Sequence, residues 1–466
     1  MNHNHDTNLP LIAAIVGVAT LGGFMFGYDS GVINGTQSGL EQVFHLTKAQ
    51  EGFAVSALLV GCALGAFSAG RLSDICGRRY LMVVAAFLFI VSALIAGAAD
   101  SATLFIIARI LGGIGVGAAS VLSPTYISEV APAPLRGRLS SVQQIMIIAG
   151  LTGAFVVNYG LAEVAGGSTA PFWLGYAAWR WMFWMQALPA TLFLGTLLLI
   201  PESPRYLVAK NRHSAARSVL TRLFGTVAAA RKVAEIRESL GTDHAPRLAD
   251  LRDPVTGRWR RIVWIGIGLA AFQQLVGINT VFYYGAVLWQ AVGFTEADAL
   301  KINVLSGGVA MLACMVAIGL IDRIGRKPLL LFGSFGMTIA LTLMVVCFAS
   351  AASTDGHLHI SASMGRLALI AAVGYSFLFN LSWGPVMWVM LGEMFPNQIR
   401  GSGLAISGAV QWICNFLISA SFPTLAAWAG LPITYGCYAF FAFMSIFFVG
   451  RMVQETKGIE LEQMIG

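Results

Sequence analysis

Apolar runs of about 20 residues, the length a helix needs to cross hydrocarbon, recur along this chain with short polar breaks between them. Twelve such runs are centred roughly on residues 22, 62, 90, 114, 150, 190, 275, 311, 340, 378, 414 and 441. The period-2 alternation of a barrel strand is weak throughout. The pattern therefore predicts an all-α membrane protein with twelve transmembrane helices. One polar stretch is long: from about Pro201 to Arg261, Ala- and Arg-rich segments of helical character separate six runs from six. The expected organisation is a short N-terminus (1–10), a first six-helix half (11–200), a helical linker (201–260), a second six-helix half (261–452) and a tail (453–466).

Composition agrees: 57% of residues are hydrophobic and 11% charged, with mean hydropathy +0.74. Charge placement tests the count of helices independently. With both termini on one side, that side holds 24 of the 29 Lys and Arg, while the opposite side holds Lys48, Arg180, Lys301 and Arg366. Arg109 falls inside a span. Such asymmetry is the positive-inside signature and predicts cytoplasmic termini in a cell (inner) membrane. The net charge of +7 follows from it, so a nucleic-acid partner is not expected. For the linker, two readings stay open: a basic amphipathic segment drawn to acidic lipid, or a small helical bundle that latches the halves.

A charged loop occurs twice, once per half. The first copy runs Gly70-Arg71-Leu72-Ser73-Asp74-Ile75-Cys76-Gly77-Arg78-Arg79 and the second Gly319-Leu320-Ile321-Asp322-Arg323-Ile324-Gly325-Arg326-Lys327. A second motif follows each: Glu129 leads through Pro132 and Pro134 to Arg136-Gly137, and Glu393 through Pro396 to Arg400-Gly401. Two ordered signatures per half mean an internal duplication, the architecture of transporters. The six cysteines are scattered without a C-x-x-C or a His cluster, so no metal, cofactor or disulfide framework is expected. The N-terminus lacks the basic region of a cleaved signal, and its first apolar run is long enough to span. Gly113 and Gly117 form a small-x-x-x-small pair suited to close helix approach.

At this point the residues resemble a known family. The twin loops are similar to the signatures of the major facilitator superfamily. Pro201-Glu202-Ser203-Pro204-Arg205, Gln273-Gln274-Leu275-Val276-Gly277-Ile278-Asn279, Gly384-Pro385-Val386-Met387-Trp388 and Glu455-Thr456-Lys457-Gly458 resemble its sugar porters, although Gln454 replaces a usual proline. The likeness covers essentially the whole chain. With Trp179-Arg180-Trp181-Met182-Phe183-Trp184 and short outer loops, it looks nearest to bacterial glucose transporters.

A sugar site needs amides, which donate and accept together, and an aromatic platform. Span seven offers Gln273, Gln274 and Asn279. Residue type alone leaves ligand and interhelical glue open; the resemblance implies sugar ligands. It likewise implies aromatic contacts from Trp388 and Trp412 and a polar contact from Asn380. Gln411 and Asn415 flank Trp412 and are candidate contacts. Two departures remove amides common in the family: Leu151 in span five and Ala310 in span eight. Asn34-Gly35-Thr36 and Asn380-Leu381-Ser382 lie in or against spans, so neither reads as a glycosylation site.

Asp29 and Arg109 fall inside spans one and four, where an unpaired ion costs about 2.5–3.5 kcal/mol, so they are expected to pair or to face water. The resemblance implies that Asp29 carries the coupled proton and Arg109 is its partner; a permanent structural ion pair is the alternative. Some coupled members carry a glutamate where this chain has Gln186, so coupling rests on Asp29. The loop charges are expected to form a cytoplasmic gate: Asp74, Arg78, Glu129 and Arg136 in one half, Asp322, Arg326, Glu393 and Arg400 in the other, joined by Glu202, Arg205 and Glu455. Topogenic charge alone would explain the basic residues and not the repeated acids.

The expected function is proton-coupled import of a monosaccharide, glucose or another hexose, by a monomer in the lipid bilayer. Alternatives are a passive hexose facilitator, a symporter for a pentose or inositol, and a non-transporting sugar sensor. A sensor is expected to carry a long tail, whereas this chain stops eight residues after Gly458. No nucleophile–base pair or metal cluster points to an enzyme.

Overall fold

The computed structural model describes residues 8–132, 136–242, 251–253, 256–354, 357–396 and 399–457. Nearly all of them are helical, and ten helices are long and apolar enough to cross a membrane. Those ten hold eleven of the twelve expected spans. Arg400–Met452 contains spans eleven and twelve, parted where Gly430 adopts φ 79°. Span six escapes the length criterion because it is cut into Ala178–Met185 and Ala187–Leu197.

Three spans are thus broken where the apolar runs alone read as continuous, and the causes are local. Span six parts at Gln186, and Pro189 has no N–H for the carbonyl of Met185. Span seven is Arg261–Leu275 and Ile278–Ala291, hinged on Gly277 at φ 81°, a left-handed conformation that glycine adopts without a steric penalty. Span ten is Ala362–Leu381 and Trp383–Met394, parted at Ser382 (φ −128°, ψ −88°), with Pro385 unable to bond the carbonyl of Leu381. The short hairpin pairing Ala352–Thr354 with His357–His359 before span ten was not legible in the sequence.

Span one (Leu9–Val32) starts and span twelve, at Met452, stops on the same side, the terminal end; Asn34 marks the far end. Spans two (Lys48–Cys76), four (Ala102–Val130), eight (Glu296–Ile324) and ten start at the far end, each under a Ser or Thr side chain accepting from the first turn: Thr47, Ser101, Thr295 and Ser361. Spans three (Arg78–Ala98) and nine (Arg326–Ala349) start at the terminal end after Gly77 and Gly325, both near φ +104°. The same residue types cap the same positions in both halves, as a duplicated fold requires. Span five is Arg136–Ala165.

Within the first half, spans two and four cross at glycine contacts. A Cβ added at Gly113 would lie 2.0 Å from the carbonyl oxygen of Leu58, and one at Gly117 2.0 Å from that of Cys62. Gly61 and Gly65 make the reciprocal approaches to Ile110 and Ile114. In lipid no hydrophobic force pulls helices together, so this backbone contact is what joins them. Gly113→Leu is therefore expected to cost at least about 3 kcal/mol and to abolish the monodisperse peak in detergent size-exclusion chromatography. Gly160→Ala, which meets open space, should leave that peak intact.

The halves meet where span two faces span eleven, span five faces span eight, and span one faces the second segment of span seven. The linker is a bundle of Pro204–Ala209, His213–Phe224 and Thr226–Thr242 with its own core of Leu207, Val208 and Ala216. It docks on the terminal end: the Asn8 N–H donates to the carbonyl of Leu223 at 2.9 Å, and the Tyr206 hydroxyl to that of Ile75 at 3.1 Å. The described part of the stretch is helical and packs on the first half.

Candidate functional site

The three amides of span seven form a relay. Asn279 Nδ2 donates to Gln274 Oε1 at 2.6 Å, and Gln274 Nε2 to Gln273 Oε1 at 3.2 Å. Gln273 Nε2 ends the relay on the carbonyls of Trp383 and Gly384, at 3.2 and 3.4 Å. Those carbonyls sit at the break in span ten, so one broken helix anchors the polar row of another. Tyr375 holds the hinge, its hydroxyl donating to the carbonyl of Val276 at 2.7 Å. Gln273 thereby ties two helices together, while Asn279, half-buried, is the open end of the row.

Span eleven supplies the adjoining wall. Trp412 is 7% exposed, and its ring lies 5.7 Å from that of Phe26 in span one, so the platform bridges the halves. Gln411 is buried with Oε1 unpartnered among the described residues, an acceptor in place for a hydroxyl. Asn415 Oδ1 accepts from Ser419 at 3.1 Å, and the Tyr283 hydroxyl faces both Asn415 and the Ser30 hydroxyl of span one. Asn380 is buried and spends its Nδ2 on the carbonyl of Ser376, 2.8 Å away. Its Oδ1 lies 3.6 Å from where a Cβ on Gly384 would stand, beside the Gln273 anchor. Trp388 differs from Trp412: it is 40% exposed.

The two departures are packing residues. Leu151 is buried against the glycine face of span one, where a Cβ on Gly31 would lie 2.9 Å from its carbonyl oxygen. Ala310 packs with Ile148 and Cys314 in a small apolar seam between spans five and eight. Residues the sequence reading passed over are Phe26, Ser30 and Tyr283. Phe26 and Ser30 stand beside Asp29 in the Phe-Gly-Tyr-Asp-Ser stretch, a signal that was available.

Asp29 and Arg109 are 0% and 1% exposed. Arg109 Nη1 donates to Asp29 Oδ1, and both Nη atoms reach the Asp29 carbonyl at 3.4 Å. The guanidinium carbon lies 6.0 Å from the centre of the Phe183 ring. Asp29 Oδ2 and Arg109 Nε have no hydrogen-bond partner among the described residues. One carboxylate oxygen thus holds the arginine, and the other faces no donor among the described residues. The unpartnered Gln186 Nε2 lies buried at the break in span six.

At the terminal end the duplicated charges form two matching networks. Arg78 grips Glu129 through Nε and Nη2 at 3.2 and 3.1 Å, reaches Asp74 at 2.9 Å and donates to the carbonyl of Ser73. Arg326 does the same with Glu393 (3.0 and 2.7 Å), Asp322 (3.0 Å) and the carbonyl of Ile321. Glu202 accepts from the N–H groups of Arg78 and Arg79, at the start of span three; Glu455 accepts from those of Arg326 and Lys327, at the start of span nine. A carboxylate at a helix N-terminus satisfies orphan donors and opposes the helix dipole. Ser203 and Thr456, unflagged in the sequence, complete the symmetry by donating to Glu129 and Glu393. Each of these arginine pairs stays within one half. Arg400 donates to the carbonyl of Phe395 at 3.3 Å; the side chain of Arg136 lies outside the described residues.

Burial works against charge on Glu455, but four backbone N–H donors, from Arg326, Lys457, Lys327 and Thr456, outweigh it and hold its pKa below the ordinary glutamate value. A lowered carboxylate stabilises above its unfolded pKa and loses that contribution only as pH falls through the folded value. Glu455 therefore stays ionised from pH 5 upward, and this cap does not respond to pH in the physiological range.

Twelve spans in two like halves, the second carrying a buried row of amides, define a multi-pass membrane transporter of the major facilitator fold. The sequence profile of the sugar (and other) transporter family matches residues 15–465, and the chain belongs to that family. It is 48% identical to a glucose transport protein of Synechocystis over 458 residues, covering 98% of this chain and 97% of that one. It is 36% identical to the D-xylose–proton symporter of Escherichia coli over 500 residues, covering 99% and 96%. The partially occluded, inward-open structure of the E. coli xylose transporter superimposes with a TM-score of 0.83 at 34% identity, covering 97% of this chain and 99% of that one. These relatives are sugar transporters rather than enzymes.

Proposed function

We propose that this chain imports a monosaccharide, glucose or a similar hexose, together with a proton, by alternating access. The observation that carries the reading is the buried Asp29–Arg109 pair with one carboxylate oxygen unpartnered, set on the helix whose Phe26 meets the Trp412 platform. Ionised Asp29 holds Arg109. Protonated Asp29 releases it and lets span one move against the sugar wall. The amide relay from Asn279 to Gln273, with Gln411, Asn415 and Trp412, holds the sugar hydroxyls and ring face; Trp388 and Asn380 complete the wall. The 48% identity to a glucose transport protein supports a hexose, and the D-xylose–proton symporter supports coupling.

The excess of Lys and Arg at the terminal end supports cytoplasmic termini. The cytoplasmic gate then comprises the Arg78 and Arg326 networks, with Glu202, Arg205, Glu455, Arg136 and Arg400. Since the arginine grips lie within halves, they make each half a rigid lever, and the gate closes when the two levers meet.

Labelled glucose uptake into proteoliposomes, with and without an inward proton gradient, tests the reading. Accumulation above equilibrium that a protonophore collapses is expected. Equilibration indifferent to the gradient would make this a facilitator, a reading that Gln186 favours by leaving span six without an acid. Xylose driven in place of glucose would reassign the substrate to a pentose.

A further inference from the structure

Asp29 Oδ2, the oxygen that Arg109 leaves alone, borders a hollow over Gly112 of span four. A Cβ built on Gly112 would stand 3.0 Å from Asp29 Oδ2 and 2.5 Å from Ser92 Oγ, so the missing side chain leaves a space that both oxygens face. Ser92 belongs to span three and is 2% exposed. Its hydroxyl donates to the carbonyl of Ala108, one helical turn before Gly112, at 2.7 Å. Spans one, three and four therefore converge on one point, and the ionised group sits at its edge.

A hydroxyl has one proton to give and two lone pairs to accept with. Ser92 spends its proton on Ala108 and keeps its acceptor capacity, which a carboxylate cannot use. Two oxygens with no proton between them repel, and Oδ2 accordingly has no hydrogen-bond partner among the described residues. A proton placed on Oδ2 reverses the relation, because the new O–H is a donor with an acceptor beside it. The other groups around Asp29 do not offer the same. Arg109 is a donor only. The Cys62 thiol of span two lies within electrostatic reach of both Asp29 and Arg109, and the Tyr283 hydroxyl of span seven stands beside Ser30 and Asn415. Span five meets span one here through Ile147 and Leu151, and span six brings the Phe183 ring to Arg109.

We propose that Ser92 is the positioning residue for the coupled proton: the protonated carboxyl of Asp29 turns into the hollow over Gly112 and donates from Oδ2 to Ser92 Oγ, a role that rests on the coupled transport proposed above. One proton from water binds Oδ2, the carboxylate becomes a carboxylic acid, its ion pair with Arg109 Nη1 is lost and an O–H···O bond to span three forms. Return of the proton to water restores the first arrangement. Span one is thus held by span four while Asp29 is charged and by span three while it is neutral. A buried O–H donor without an acceptor carries its full desolvation penalty, so Ser92 sets how readily the acid forms. Gly112 keeps the hollow empty for it.

Infrared difference spectroscopy of the full chain in liposomes, between neutral and acidic pH, tests the assignment. It reads the C=O stretch of protonated Asp29, identified as the band missing from Asp29→Asn. Ser92→Ala removes the acceptor and little else, since the Ala108 carbonyl keeps its helical bond to the Gly112 N–H. A carboxylic acid whose O–H loses its acceptor stretches at higher frequency, so the band is expected to move up in Ser92→Ala. Gly112→Ala fills the hollow without altering either oxygen-bearing side chain; it is expected to move the band the same way, and the double variant no further. In gradient-driven uptake, Ser92→Ala is expected to need about fivefold more external protons for the half-maximal rate, with no fall in the maximal rate. A merely structural lesion lowers the maximal rate at an unchanged proton requirement. An unmoved band in Ser92→Ala overturns the assignment, and so does a band that moves in Cys62→Ala instead. Absence of an Asp29 band down to the lowest pH at which the protein stays folded overturns it as well, because no acid then forms. The spectrum needs no transport, so the two readings fail separately. A band that moves in Ser92→Ala, with a wild-type protein that accumulates no sugar, sinks the coupling and leaves Ser92 in its role; accumulation with an unmoved band sinks the role of Ser92 alone.

Discussion

Asp29→Asn is expected to abolish uphill accumulation while leaving sugar exchange across the membrane within about twofold of the wild type. One proton falling through 100 mV supplies about 2.3 kcal/mol, enough for roughly 50-fold accumulation, and the variant should bring that ratio to about one. The substitution keeps the shape of the side chain and a carbonyl for Arg109 Nη1, the donor that holds Oδ1. It removes only the capacity to bind and release a proton at Oδ2. Breaking a buried pair by removing one charge ordinarily costs about 3–5 kcal/mol. Here the neutral form mimics the protonated state that the proposed cycle contains, so the fold is expected to survive it. Counterflow of labelled sugar, measured beside gradient-driven uptake, separates the two activities. Accumulation that persisted in Asp29→Asn would return the Asp29–Arg109 pair to a structural role.

The second large effect is expected at Gln274. It is the middle of the relay, accepting from Asn279 at 2.6 Å and donating to Gln273 at 3.2 Å. Gln274→Ala leaves an Asn279 donor and a Gln273 acceptor in a buried wall without their partners. Each such loss costs about 1–3 kcal/mol, and part of it falls on the bound state, where the row must present matched donors and acceptors to hydroxyls. Sugar affinity, read by isothermal titration or by fluorescence of the tryptophans at the site, is expected to weaken about 10- to 100-fold. The extracted protein should stay monodisperse. Intact affinity would make the span-seven amides interhelical glue, the role that Gln273 already plays toward Trp383 and Gly384.

That double use of Gln273 illustrates what residue type can and cannot reveal. An amide in a membrane helix must be satisfied by something, and the sequence could not distinguish a sugar from a neighbouring backbone. The neighbour exists because span ten breaks at Ser382; Pro385 marks that break locally, but nothing in the chain says that the carbonyls beside it will stand opposite Gln273. Leu151 and Ala310 teach the converse. As positions in a pattern they looked like lost ligands, and in space they fill a glycine face and an inter-half seam.

Other features were fully legible. The twelve apolar runs, the polar stretch that divides them and the repeated loop motifs follow from the energetic demand that lipid makes on every residue of a spanning helix. That demand is local and acts on composition. The special placement of Asp29 and Arg109 was legible for the same reason: ions in hydrocarbon must pair or face water, and the structure shows that these two pair. The contact of Asn34 with span seven was not. Asn34-Gly35-Thr36 registered only as a sequon too close to a span to be glycosylated, because nothing in the chain says that Gly285 and Asn303, some 250 residues later, will stand within reach. The sequence by itself determined that helices form, roughly where they lie and how they repeat, since hydropathy and charge asymmetry act over a few residues. Only the tertiary structure decided which amides meet a backbone, which meet each other and which remain open to a ligand, because hydrogen bonding in a dry interior depends on what the opposing helix presents.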